Sequence, residues 1–128
     1  MTYSSNNNAI AVVIVEDEAL IRMVMHEALS DAGFKVTDAA SAKEAVEILR
    51  QDPHSVRVLF TDIHMSGRMN GCVLAHYAAR HWPWIKVLVT SGQAIPTAGE
   101  LPESARFVAK PYDLNRIVRQ IKEMAEAA

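Results

Sequence analysis

Cysteine is almost absent from the 128-residue chain. Cys72 stands alone, so no internal disulfide can form, a stapled secreted fold is excluded, and a reducing, cytoplasmic setting is expected. Long hydrophobic runs are missing too: none approaches the ~18–20 residues of a membrane-crossing helix. There is no excess of charge of one sign. The 13 Lys and Arg against 15 Asp and Glu leave a formal net charge of −2, which gives no electrostatic footprint for nucleic acid and no basic patch for a membrane surface. Five glycines and five prolines are too few for a linker-rich or low-complexity chain, and no internal repeat is present. Residues 1–9 are polar and lack both the basic residues and the apolar stretch of a signal peptide, so they read as a disordered lead-in to one domain over 10–126.

What is present is a repeating pattern of short apolar runs, each leading into a longer amphipathic stretch. Ile10 to Val15 is continuous and rich in β-branched residues, as in a strand covered on both faces. Leu20, Ile21, Val24, Ala28 and Leu29 then recur at helical spacing, with Gly33 as the stop. Phe34 to Asp38 is a second strand. Ser41-Ala42-Lys43-Glu44 is a capping box opening a helix whose stripe is Ala45, Val46 and Leu49. Val56 to Thr61 is a third strand, succeeded by an irregular turn over Met65–Gly71 and a helix marked by Val73, Leu74, Tyr77 and Ala78. Ile85 to Thr90 is a fourth strand. Gly92, Pro96, Gly99 and Pro102 then leave room only for a short or irregular fourth helix. Arg106 to Ala109 is a fifth strand, and Leu114, Ile117, Val118, Ile121 and Met124 stripe the last helix.

Five such units imply an α/β fold, a five-stranded parallel sheet with helices on both faces. Sheets of this kind place functional residues beyond the carboxyl ends of their strands. There the sequence has Glu16 and Asp17 after the first strand, Asp62 after the third, Thr90 at the end of the fourth and Lys110 after the fifth. Clustered carboxylates repel one another unless a cation is present, and a few hard oxygen ligands suit Mg²⁺ better than a closed zinc or calcium cage. A cation and a lysine around one aspartate stabilise a phosphoryl group in transfer, with the aspartate as nucleophile and the Thr90 hydroxyl within reach of a phosphoryl oxygen. The expected chemistry is formation and hydrolysis of an aspartyl phosphate.

Four segments in this order, Val-Ile-Val-Glu16-Asp17-Glu18, Leu-Phe-Thr-Asp62-Ile-His-Met65, Val-Leu-Val-Thr90-Ser91-Gly92 and Phe107-Val-Ala-Lys110-Pro111-Tyr112, resemble the receiver domains of two-component response regulators. The resemblance runs from Ile10 to Met124. It implies a flavodoxin-like sheet of strand order 2-1-3-4-5 and a phosphoacceptor at Asp62. It also implies Mg²⁺ held by Asp17 and Asp62 directly, by Glu16 through water and by the backbone carbonyl of His64. Thr90 and Lys110 would then touch the phosphoryl group, Phe107 would change rotamer with phosphorylation, and Lys110–Pro111 would be a cis peptide. The implied phosphodonor is a sensor histidine kinase or a histidine phosphotransfer protein, and the output is contact with a downstream protein by a monomer or weak dimer. The protein would not be an enzyme beyond its own phosphorylation and dephosphorylation.

The chain departs from the family pattern at several points. Ser66 stands where a proline is usual, and the turn to Gly71 is one residue longer. His64 and Gly92 stand two residues beyond Asp62 and Thr90, positions that in the family it resembles tune access of the hydrolytic water. Two other functions compete: a phosphorylation-independent adaptor on the same fold, and a haloacid-dehalogenase-like phosphatase. The phosphatase wants a second acid two residues after its nucleophile, where this chain has His64. A transcription factor is disfavoured because the sequence shows no helix-turn-helix after the last helix. His26, His76 and His81 have no ligand spacing for zinc, and Trp82 and Trp84 read as packing anchors at the far end of the sheet.

Overall fold

The β-branched runs form strands β1 (Ala11–Val15), β2 (Lys35–Ala39), β3 (Val56–Asp62), β4 (Lys86–Ser91) and β5 (Arg106–Ala109) in a computed structural model that describes residues 9–65, 69–92, 96–97 and 99–127. All pairings are parallel and the order is β2-β1-β3-β4-β5, as expected. The helices are α1 (Ala19–Asp31), α2 (Ala42–Gln51), α3 (Gly71–His81) and α4 (Leu114–Glu126), with a 3₁₀ turn at Pro53–Ser55. The lead-in over 1–8 and residues 66–68, including the Ser66 departure, lie outside the described residues.

The side-chain period of two divides each central strand between two cores. Val12 and Ile14 of β1, with Val58, Phe60 and Leu88, pack against Met25 and Leu29 of α1 and Ile117, Ile121 and Met124 of α4. Val13 and Val15, with Leu59, Val87 and Val89, pack against Ala45, Val46 and Leu49 of α2 and Leu74, Ala75 and Ala78 of α3. The chain leaves β1 toward β2 on one side and returns to β3 on the other. The two crossovers diverge above the carboxyl ends of β1 and β3, and that divergence opens the crevice.

Local chemistry sets the helix limits. Ser41 Oγ accepts from the Glu44 N–H at 3.1 Å, while the Glu44 carboxylate reaches the Ala40 N–H at 2.6 Å. Asn70 caps α3 by accepting from Val73 N–H at 3.0 Å, and Asp113 caps α4 by accepting from Asn115 N–H at 3.0 Å. Gly33, at φ +100°, ends α1, and the Phe34 N–H then bonds back to the Leu29 carbonyl.

Two segments sharpen or correct the sequence reading. Between β4 and β5 the described residues hold no helix; Thr97 and Glu100 tie a turn through the Glu100 carboxylate, and Gly99 has φ +92°. The helix expected fifth is therefore α4. On α1, Leu20 and Val24 belong to the apolar stripe but are 76% and 54% exposed, with Met23 at 62%. The helix is covered only where it meets the sheet and α4. Its first turns border an open apolar groove of about 290 Å³ lined by Leu20, Ile21, Val24, Met25, Tyr112 and Leu114.

Candidate functional site

The strand register assembles the site. Asp62, the last residue of β3, is the direct neighbour of Thr90 on β4. Backbone bonds continue the sheet past its strand ends: Glu16 N–H donates to Ala39 O, Ile63 N–H to Thr90 O and Lys110 N–H to Ser91 O. Sequence-distant side chains are thereby set at fixed heights above one edge.

The structure brings Glu16, Asp62, Thr90 and Lys110 together. Lys110 Nζ donates to Asp62 Oδ2 at 2.5 Å and lies 4.0 Å from Glu16 Oε1. The other Asp62 oxygen, Oδ1, accepts from the His64 backbone N–H at 3.0 Å. Asp62 and Glu16 are buried, while Asp17, next along the chain, is exposed. Thr90 is 2% exposed and, among the described residues, its hydroxyl has no hydrogen-bond partner. It lines a small cavity with Glu16, Asp62 and Tyr112. Gly92 lies beside Lys110: a Cβ there would sit 3.4 Å from the lysine Cδ. The Lys110–Pro111 peptide is cis.

Burial pushes the Glu16 carboxyl above its ordinary range, and the charge of Asp62 adds to this; the Glu18 backbone N–H and Lys110 oppose it. For Lys110, burial alone would lower the pKa, but its hydrogen bond to Asp62 and the charges of Asp62 and Glu16 outweigh that and raise it. Burial likewise raises the Tyr112 phenol, whose ring meets Phe60 edge-on at 6.2 Å. An ammonium ion thus compensates part of the carboxylate charge.

The chemistry of the donor set decides which cation it suits. Among the described residues no three His, Cys, Asp or Glu side chains converge as a metal cage. Glu16, Asp17 and Asp62 carry hard oxygen donors, a chemistry that would suit Mg²⁺ and does not suit a closed zinc site.

Phe107 is half-buried in β5, opposite Val89, and packs against the α2/α3 core. His64 is exposed. His26 binds Asp38 and His81 stacks on Tyr77. Two residues near the site are not signalled by the sequence. Gly71 opens α3 so close to β3 that a Cβ would meet the Asp62 carbonyl oxygen at 2.1 Å. Arg22 donates from Nη1 to the Glu16 carbonyl at 2.8 Å. Neither residue belongs to a local motif that would mark it.

Comparison with known proteins agrees with this fold. The response regulator receiver domain profile matches residues 12–122. Over 118 residues the chain is 36% identical to the sensor kinase CckA of Brucella abortus, covering 90% of this chain but 12% of that kinase. It is 32% identical over 120 residues to the response regulator receiver protein CpdR of Brucella abortus, covering 91% of this chain and 98% of the relative. The crystal structure of a response regulator receiver protein from Sinorhizobium medicae superposes with a TM-score of 0.86 at 24% identity, over 94% of this chain and 98% of that one. Sheet order, profile and full-length relative agree, and the chain belongs to the receiver domain family of two-component response regulators.

Proposed function

We propose that the chain accepts a phosphoryl group on Asp62 from a phosphohistidine of a sensor kinase or histidine phosphotransfer protein, with Mg²⁺, and signals through protein contacts. The observation that carries this reading is the Thr90 hydroxyl, buried beside Asp62 without a partner among the described residues. A buried orphan hydroxyl costs stability, and a phosphoryl oxygen on Asp62 is the acceptor it lacks.

In the transfer, an Asp62 carboxylate oxygen bonds to phosphorus as the phosphorus–nitrogen bond to imidazole breaks, and the imidazole departs with the electron pair. Asp17 and Asp62, Glu16 through water and the His64 carbonyl would hold Mg²⁺, which supplies positive charge against the phosphoryl oxygens. Lys110 moves its ammonium from Asp62 Oδ2 to a phosphoryl oxygen, and the His64 N–H holds Oδ1 during attack. Hydrolysis by water returns the free carboxylate. The exposed Leu20 and Val24 line the apolar groove, and Ile21, Met25 and Tyr112 line both that groove and the pocket at Asp62. This supports docking of a phosphodonor helix there. Phe107 then reports the filled pocket on the β5 face by a shift in rotamer population.

Incubation with acetyl phosphate should add one phosphoryl group to the wild type only with Mg²⁺, and none to Asp62→Asn; intact-mass spectrometry reads both. Labelling of Asp62→Asn elsewhere would overturn Asp62 as the acceptor, and no labelling of the wild type would favour the phosphorylation-independent adaptor. With beryllofluoride in place of the phosphoryl group, NMR shifts should extend from Asp62 to Phe107; shifts confined to the pocket would remove the switch.

A further inference from the structure

We propose that Arg22 is a positioning residue for the cation-binding turn at Glu16 and Asp17, an inference that rests on the phosphoacceptor reading of the site. Its guanidinium bridges that turn to strand β2. Nη1 donates to the Glu16 carbonyl at 2.8 Å, and Nε lies 3.8 Å from Asp38 Oδ1. The other Asp38 oxygen, Oδ2, is 2.6 Å from His26 Nδ1. Asp38 is therefore held from two positions on α1, and it holds Arg22 in turn.

The turn needs such a support. Alone among the four described helices, α1 begins with no side-chain cap on its first backbone N–H groups: the capping position is Glu18, whose side chain makes no capping bond. The Glu18 N–H instead donates to the Glu16 carboxylate, at 2.9 Å from Oε2, which ties that carboxylate to the start of the helix. Both peptide groups of Glu16 are then anchored to neighbouring residues of one strand end. Its N–H donates to Ala39 O at 3.0 Å, and its carbonyl is tied through Arg22 to Asp38. With the peptide planes on both sides of the Glu16 Cα held, the direction in which Glu16 leaves the backbone is fixed, and the start of Asp17 is held with it. A planar guanidinium serves two acceptors at once; an ammonium on a flexible stem presents a point charge and does not reproduce the bridge.

A positioning role and a simple charge effect have opposite signs. Arg22 is a cation near a site for a dication, so if it acted only through its charge, removing it would tighten Mg²⁺ binding. If it positions the turn, removing it loosens the ligands and weakens binding, by about tenfold where supporting shells of metal sites have been cut.

The test is a Mg²⁺ titration monitored by the rise in melting temperature of wild type, Arg22→Ala and Arg22→Lys, with each protein also melted in EDTA. The expected result is weaker Mg²⁺ binding in both variants, by about tenfold in Arg22→Ala, with acetyl phosphate labelling recovered at high Mg²⁺. Arg22→Lys keeps the charge and remains informative if Arg22→Ala does not fold. Binding as tight as wild type or tighter in Arg22→Ala, or full rescue by lysine, would overturn the positioning role while leaving the phosphoacceptor reading intact. A wild type that ignores Mg²⁺ would overturn both.

Discussion

At the carboxyl end of the sheet the structure buries Glu16, Thr61, Asp62, Thr90 and Ser91; these are all the buried polar and charged side chains among the described residues. At the amino end, Trp82 is 7% exposed between α3 and β4, and Trp84 stacks on His54 with ring centroids 4.7 Å apart while its indole N–H donates to the Pro53 carbonyl at 2.9 Å. One end buries groups that water would solvate better, and the other closes over with aromatic rings. A buried carboxylate cluster raises the cost of folding, whereas buried aromatic rings lower it, so the two ends of the same strands should respond oppositely to substitution.

The comparison can be broken by changing one end at a time. The largest expected effect on stability is at the amino end. Trp82→Ala should cost about 3–5 kcal/mol, as large-to-small core changes do, while the folded fraction still labels on Asp62. Urea unfolding and intact-mass labelling check the two halves of that statement. Gly71→Ala comes next and should damage both properties. The added Cβ meets backbone atoms of Asp62 and Ile63, which cannot swing aside as a side chain would. A loss of about 1–3 kcal/mol, read as a lower urea midpoint at unchanged slope, should accompany slower labelling.

At the carboxyl end the sign should reverse. Thr90→Val removes a buried hydroxyl that has no partner among the described residues, so the unphosphorylated protein should gain about 1 kcal/mol while labelling slows. A destabilised Thr90→Val would mean that the hydroxyl is satisfied before phosphorylation. The smallest effect should come from Glu16→Gln. Burial raises the Glu16 carboxyl above its ordinary value of 4.5, so the folded state holds that proton to higher pH than the unfolded chain. Stability should fall as pH rises from 4.5 through the raised value, and Glu16→Gln should flatten that fall and melt slightly higher at neutral pH. Melting curves in EDTA, from the ordinary carboxylate range up to neutral pH, would show it.

The central strands are legible because both faces of a parallel sheet are covered there, and a covered strand reads as an apolar, β-branched run. The expected Ile10–Val15 and Val56–Thr61 match the observed strands to within a residue, and the part-exposed edge strand Arg106–Ala109 matches as well. Glu16, Asp62 and Lys110 are legible for the same reason, since locating a strand end also locates the residue just beyond it. The α1 stripe is harder to read. Periodicity marks Leu20 and Val24 as apolar helix residues, but whether a neighbour covers them depends on where α4 begins, and that is not encoded within α1.

Local order therefore determined the elements, their sequence along the chain, the caps at Ser41 and Gly33, and the arrival of Glu16, Asp62, Thr90 and Lys110 at one edge. Short-range chemistry settles these: side-chain period, capping hydrogen bonds, and the rule that strands in such a sheet run the same way. Three features were decided only by tertiary structure. They are the approach of Gly71 to the Asp62 carbonyl, the bridge from Arg22 to Glu16 and Asp38, and the isolation of the Thr90 hydroxyl among the described residues. Each depends on the distance between atoms that distant segments bring together once both cores have packed, and no window of sequence contains that distance.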